Sequence, residues 1–547
     1  MSDPPGSQHP DGPPSPPQGP VERVRGMADV LPADYAFREG VLGTLRRHFA
    51  AHGYRPVDTP VVEATELFLR KSGEERAAQM YAFAYRNRQI ALRPEFTASI
   101  VRAYVAAMQG LPLPLRLSYC GPVFRYEKPQ AGRSRQYTEA GVELLGAAGP
   151  AADAEVIHLA LAGLAALGLD DCTLRLGHLG AVGVFLASLP LDERVRDWFL
   201  WSMERLRARG DDGLHRGLRA LLDREAAPAP TPGEFPGLDD LLPGDAGAER
   251  IGALVLDLLR AAGVDLDGSS RPPEEIVARL LLKLRRPRAR FDVARALDFL
   301  RRLVALRGAP AAVLDGLRAL LADYGLDPAP VGELEQVLDL LRAYGHAGRV
   351  ELDLGLGRGL HYYTGILFEV YDGRDPAVQL CGGGRYDDLA QVLGARAPVP
   401  ASGLSYGVER VAAALRARGA AAPEPPAADV LVCGGRGVPM AELIGVAAAL
   451  RAGGWRVDLD VRGRSLAANL RYADRAGIAH VAILGEDERR AGVVAWHTMA
   501  TRAQERLPLA ALRTRGQESS EGRLFTAEHA ENAESGMESG IWKTVRD

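Results

Sequence analysis

The chain has 547 residues, of which 25% are charged, with 66 Lys and Arg against 70 Asp and Glu for a formal net charge of −4. That length exceeds one hydrophobic core and suggests about three units at roughly 100–200 residues each. The near-neutral balance excludes a global basic field for nucleic acid and an acidic solvating tail, so any RNA contact must be local. Four well-separated cysteines, Cys120, Cys172, Cys381 and Cys433, lack CxxC spacing and read as structural thiols of a reducing compartment, with no metal site expected. Apolar runs stop short of the roughly 18–20 residues a membrane span needs, and no signal pattern opens the chain. A cytoplasmic protein without a membrane partner is expected.

Residues 1–20 are rich in proline and poor in apolar side chains, as in a disordered leader. Residues 21–189 begin with helical spacing over Tyr35–His52. An extended stretch from Arg55 to Val62 follows, whose prolines predict an edge strand, and strand signals recur at Ala91–Pro94 and Leu115–Ser118. Residues 190–345 change to Leu/Arg/Ala segments of helical period, a helical insertion broken by a Pro/Gly/Asp-rich stretch at 226–246. Residues 346–418 return to strands at Val350–Leu354 and Ile366–Tyr371, so the first unit is discontinuous. An Ala/Pro-rich linker at 419–428 leads to residues 429–513, where β-α-β-α-β alternation predicts a mostly parallel sheet. The tail, 514–547, lacks periodicity and reads as disordered.

The chemistry concentrates between Gly121 and Glu143. A strand carries Arg125, a Pro/Gly-containing loop carries Glu127, Arg133 and Arg135, and a returning strand places Glu139 and Glu143 four residues apart on one face. Fixed guanidinium forks suit phosphate oxygens, and carboxylates on a sheet floor suit an ammonium or imidazole. The run Gly382-Gly383-Gly384-Arg385-Tyr386-Asp387 lacks the Lys-Ser/Thr of a P-loop and reads as a tight turn between strand and helix. His178, between glycines, reads as a turn or core residue.

This hairpin resembles motif 2 of class II aminoacyl-tRNA synthetases in its histidyl form. Arg23–Pro32 is similar to that family's opening segment, Gly53–Pro60 to motif 1, Leu92–Thr97 to its first amino-acid-binding loop, Arg358–Gly365 to its histidine signature and Gly403–Arg410 to motif 3. The implied fold is α/β (α+β): an antiparallel-sheet core with a helical insertion and a C-terminal α/β domain of anticodon-binding type. The last is marked by Gly463–Leu466 and Tyr472–Asp474. The resemblance implies ATP contacts at Arg125, Glu127, Arg133 and Arg410. It implies histidine contacts at Glu95, Thr97, Glu139, Glu143, Arg358, Tyr362 and Tyr363, with Arg358 catalytic if the chain is a ligase.

Four positions depart from the family pattern. Phe96 replaces a glycine, so a ring is expected to intrude on the amino-group loop. Thr138-Glu139 replaces His-Gln, Ser134 an aromatic residue and His361 an Asp. With Ala151–Val156 and Leu176–Gly180, these changes resemble the paralogue that serves as regulatory subunit of ATP phosphoribosyltransferase. The first expectation is therefore a histidine-binding regulator with no tightly bound cofactor, forming homodimeric cores within a hetero-oligomer with the short-form catalytic subunit. The alternative is a histidine–tRNA ligase using ATP with Mg and charging tRNA(His).

Overall fold

The computed structural model describes residues 21–70, 80–126, 134–189, 293–346, 348, 350–357, 362–420 and 428–513. The expected leader and tail, residues 190–292 of the insertion, and linker residues 421–427 lie outside them. The chain divides into two compact units, Met1–Ala421 and Ala422–Asp547.

Among the described residues of the first unit, twelve strands follow in chain order: β1 (Arg55–Pro56), β2 (Val62–Ala64), β3 (Ala82–Tyr85), β4 (Arg88–Leu92), β5 (Leu115–Phe124), β6 (Gln136–Leu145), β7 (Thr173–His178), β8 (Arg307–Gly308), β9 (Val350–Asp353), β10 (Ile366–Tyr371), β11 (Gln379–Arg385) and β12 (Ala401–Gly407). Nine of them form one sheet in the order β1-β5-β6-β12-β11-β10-β7-β9-β8, antiparallel from β5 through β7. The proline-containing β1 lies at the edge, where a missing N–H costs no ladder bond. Central β6 is buried from Thr138 to Leu145, covered by neighbours on both sides. The remaining three strands, in the order β2-β4-β3, form a small sheet whose central strand, β4, leads into the loop 93–96.

Helices back the large sheet. Pro32–Ala51 turns Val41, Leu42, Leu45 and Phe49 inward at helical spacing. Pro150–Ala165 starts on a proline, whose fixed φ suits a first turn, and packs against β11, β12 and the helix Ala329–Ala343. The described part of residues 190–345 holds helices Val293–Ala305, Pro310–Tyr324 and Ala329–Ala343 and also the short strand β8, which pairs with β9 in the large sheet. Leu300, Leu317 and Leu334 join Leu159 and Phe185 in one apolar cluster, so this part shares the sheet's core.

The glycine run corrects one expectation. Gly382, Gly383 and Gly384 lie inside β11, opposite Ser405, Leu404 and Gly403 of β12, and not in a turn. A Cβ on Gly383 would overlap the Gly403 carbonyl oxygen, so close approach of two strands requires the glycine. Arg385 then pairs with Asp153 at 2.8 Å, both nearly buried, fixing the strand end to the helix Pro150–Ala165.

The second unit contains β13 (Val430–Gly434), β14 (Val457–Leu459), β15 (His480–Leu484), β16 (Val493–Thr498) and β17 (Gln504–Pro508) in the order β14-β13-β15-β16-β17. The first three strands are parallel, with helices Met440–Ala452 and Leu466–Arg475 as the crossovers. An antiparallel hairpin, β16–β17, extends this sheet beyond the expected alternation.

Candidate functional site

Glu143 sits at the centre of the floor, fully buried, opposite Leu117 of β5 and Gly403 of β12. Thr97 Oγ1 donates to its Oε1 at 2.6 Å and the Tyr386 hydroxyl donates to its Oε2. Desolvation raises the Glu143 pKa to about 8, against the pull of those two donors. Room for the carboxylate comes from Gly403, where a Cβ would overlap it. Sequence reasoning missed Tyr386 as a site residue, because its contact with Glu143 spans 243 residues.

Glu139 lies four residues earlier on the same face, buried, opposite Gly121 and Gly407. Its Oε1 accepts from Arg125 Nη2 at 3.0 Å and from the Tyr137 hydroxyl at 3.2 Å. Arg125 also donates from Nε to the Pro94 carbonyl at 2.8 Å, which ties the hairpin to the loop 93–96. Arg410, in the first turn of the helix Val408–Ala417, donates to the Gln379 carbonyl at 3.2 Å. Its neighbour Glu409 accepts the Thr138 N–H at 3.0 and 2.9 Å. Motifs 2 and 3 are thus joined at the Glu139 end of β6.

Glu95 caps the helix Thr97–Ala107: its carboxylate accepts the Ala98 N–H at 3.0 and 3.3 Å. Tyr362 is buried, with its ring 5.7 Å from Tyr386 and 4.9 Å from Tyr363. The structure therefore brings Thr97, Glu143, Tyr362, Tyr363 and Tyr386 to one end of the site, and Arg125 and Glu139 to the other. Arg358, Glu127, Arg133 and the substituted His361 lie outside the described residues. His178 is a core residue, with Nε2 2.9 Å from Glu333 Oε2.

Phe96 lies on the face of the sheet that carries Glu139 and Glu143, beside Gly121, which pairs with Glu139. Its ring is 1% exposed, stacked on Tyr119 at 4.4 Å and 20°, with the Arg93 guanidinium 3.8 Å over its face. The core beneath the loop takes the ring because β5 presents Tyr119 there, and the stacked cation and apolar burial hold it. Ser134 is part of the scaffold: its hydroxyl donates to the Gly26 carbonyl at 2.8 Å, and Arg135 N donates to the same oxygen at 2.8 Å. The opening segment is pinned to the motif 2 hairpin by these bonds.

Antiparallel floor, paired carboxylates and flanking arginines define a core of the class II aminoacyl-tRNA synthetase type. The histidyl-tRNA synthetase family profile matches residues 26–221 and 251–411, and an anticodon binding domain profile matches 430–518. The chain belongs to the histidyl-tRNA synthetase family. It is 31% identical over 496 residues to the histidine–tRNA ligase of Pyrococcus furiosus, covering 89% of this chain and 97% of the relative. It is 32% identical over 485 residues to that of Methanocaldococcus jannaschii, covering 88% and 96%. Among solved structures, the histidyl-tRNA synthetase of Nostoc shares the fold at TM-score 0.58 and 21% identity, covering 92% of this chain and all of that one. A Bacillus halodurans protein described as an ATP phosphoribosyltransferase regulatory subunit/histidyl-tRNA synthetase shares it at 0.56 and 22%, covering 85% and 98%. Among the described residues, no helix is long and apolar enough to cross a membrane.

Proposed function

We propose that the chain is a cytoplasmic histidine–tRNA ligase. A histidine carboxylate oxygen attacks the α-phosphorus of ATP, the bond to the bridging oxygen breaks, and pyrophosphate leaves with the electron pair. A terminal ribose hydroxyl of tRNA(His) then displaces AMP from the histidyl-adenylate and takes the acyl group. Glu143, held by Thr97 and Tyr386, accepts from the imidazole N–H, with Tyr363 alongside. Glu139 faces the ammonium, with Glu95 shaping its loop, and Arg125 and Arg410 hold phosphates. Arg358, Arg133 and Glu127 are assigned by motif, Arg358 facing the α-phosphate. Fixed cations placed before the reaction stabilise the charge developing at phosphorus without reorganisation. Magnesium arrives with the nucleotide as part of the substrate; among the described residues no three His, Cys, Asp or Glu side chains converge on a metal position, and no step is routed through the ion.

The observation that carries this reading is end-to-end agreement with curated ligases, C-terminal domain included. The scaffold role of Ser134, whose hydroxyl bonds the Gly26 carbonyl, adds support. A second reading, a histidine-sensing regulatory subunit for short-form ATP phosphoribosyltransferase, draws on Glu139 and His361. Histidine-dependent exchange of pyrophosphate into ATP separates the two: exchange that Arg125→Ala removes supports the ligase, and histidine binding without exchange supports the regulator. Either reading takes the cores as homodimers joined through motif 1.

A further inference from the structure

We infer that Glu139 and Arg125 form a charge latch through which the substrate ammonium releases the phosphate-binding arginine, so that histidine primes the site for ATP. The inference rests on the amino-acid activation reading above. Arg125 donates from Nε to the Pro94 carbonyl at 2.8 Å and from Nη2 to Glu139 Oε1 at 3.0 Å. Both side chains are largely buried, at 18% and 7% exposure, and Tyr137 adds a hydroxyl donor to the same Glu139 oxygen. One edge of the guanidinium fork is therefore committed to a carboxylate.

Nucleotide alone meets two obstacles at this pair. Its phosphates must draw Nη2 from Glu139, and a buried carboxylate left without a cation is costly. The same carboxylate then faces an incoming polyanion at close range. The ammonium of histidine removes both obstacles. It supplies Glu139 with a replacement cation, and the charge of the floor is unchanged by the exchange. Arg125 keeps its Pro94 anchor and turns its freed edge to phosphate. An amide at position 139 lacks the charge to hold Arg125 in this way, so the carboxylate is what makes nucleotide affinity depend on the amino acid. Linkage makes the effect reciprocal: nucleotide must tighten histidine by the same factor.

The test is calorimetric titration of the full-length chain with α,β-methylene-ATP, alone and with saturating L-histidine, histidinol or imidazolepropionate. Histidine and histidinol carry the ammonium and should tighten the nucleotide about 10-fold, inside the roughly 5–150-fold span of typical coupling. Imidazolepropionate fills the imidazole pocket without an ammonium and should leave nucleotide affinity within about twofold. In Glu139→Gln, nucleotide should bind unaided about as tightly as it binds the histidine-loaded wild type, and the coupling should fall below about twofold. Coupling that persists in Glu139→Gln, or that imidazolepropionate reproduces, overturns the latch. Independent binding of histidine and nucleotide to the wild type also overturns it, while leaving the activation reading intact. Failure of the wild type to bind either ligand overturns the activation reading itself.

Discussion

Thr97 Oγ1 lies 2.6 Å from Glu143 Oε1, joining the first turn of a helix to the centre of the sheet floor. Because Glu143 is fully buried and its pKa is raised to about 8, the folded protein holds a proton there that the unfolded chain releases near its ordinary value of 4.5. The unfolded state therefore binds fewer protons between those values, and this group's contribution to stability falls as pH rises from 4.5 to 8. Glu143→Gln removes the titration and keeps a side-chain oxygen for Thr97. Above pH 8, where the wild-type carboxyl is ionised, it should be more stable than the wild type in thermal melts, yet bind histidine roughly tenfold or more weakly by calorimetry, because a charge-assisted contact is worth about 1.5–3 kcal/mol. Equal affinity in the two proteins would remove Glu143 from the imidazole contact.

Gly403 is the space in which that carboxylate sits. Gly403→Ala should displace Glu143, break its bonds to Thr97 and Tyr386, and lower stability by about 1–3 kcal/mol through overpacking. Histidine binding should fall with it. A denaturant titration and a histidine titration together check this; wild-type histidine affinity in a folded alanine variant would count against the arrangement.

Arg385 and Asp153 are both nearly buried, and their 2.8 Å contact ties the end of β11 to the helix Pro150–Ala165. Arg385→Met leaves Asp153 where burial already raises its pKa, now without the guanidinium that offsets the shift. A loss of about 3–5 kcal/mol is expected in chemical denaturation, since one partner of a buried pair remains uncompensated. Arg385→Met/Asp153→Leu should recover part of it.

A second cluster responds to acid. His158 Nδ1 lies 2.9 Å from His346 Nε2, and its ring stacks on Tyr344 at 4.2 Å and meets His52 at 5.7 Å. His158, Tyr344 and His52 border a cavity of about 390 Å³ also lined by Arg116 and Glu155, which form an ion pair at 2.8 Å. Burial, then the imidazoles His346, His52 and His48, lowers His158 to about 4; burial lowers His48 and His346 as well. The unfolded chain takes up protons first, so the cluster's contribution is complete above about pH 6.5 and is lost as pH falls toward 4. The melting midpoint should drop over that window, and His158→Gln should flatten the profile. An unchanged slope would place the acid sensitivity elsewhere.

Local periodicity made much of this legible. Four-residue spacing put Glu139 and Glu143 on one face of β6, and the alternation after Asp429 located the parallel strands of the second unit. What stayed hidden depended on distant pairing. Tyr386 reaches Glu143 across 243 residues, and nothing near either one announces the other. Phe96 was read against its neighbours in the loop, whereas its position is decided by Tyr119 and Arg93 beneath it. The hairpin β16–β17 escaped because Val493–Thr498 and Gln504–Pro508 are short and form their ladder only against β15 and each other.

The most direct measurement is charging of tRNA(His) transcript with labelled L-histidine, ATP and magnesium by the purified full-length chain. A histidine–tRNA ligase gives multiple turnovers of histidyl-tRNA, with Arg358→Ala and Glu143→Ala each slowing charging at least about tenfold and other amino acids left unattached. Saturable histidine binding with no charging, in a protein that instead activates short-form ATP phosphoribosyltransferase, would contradict the ligase reading.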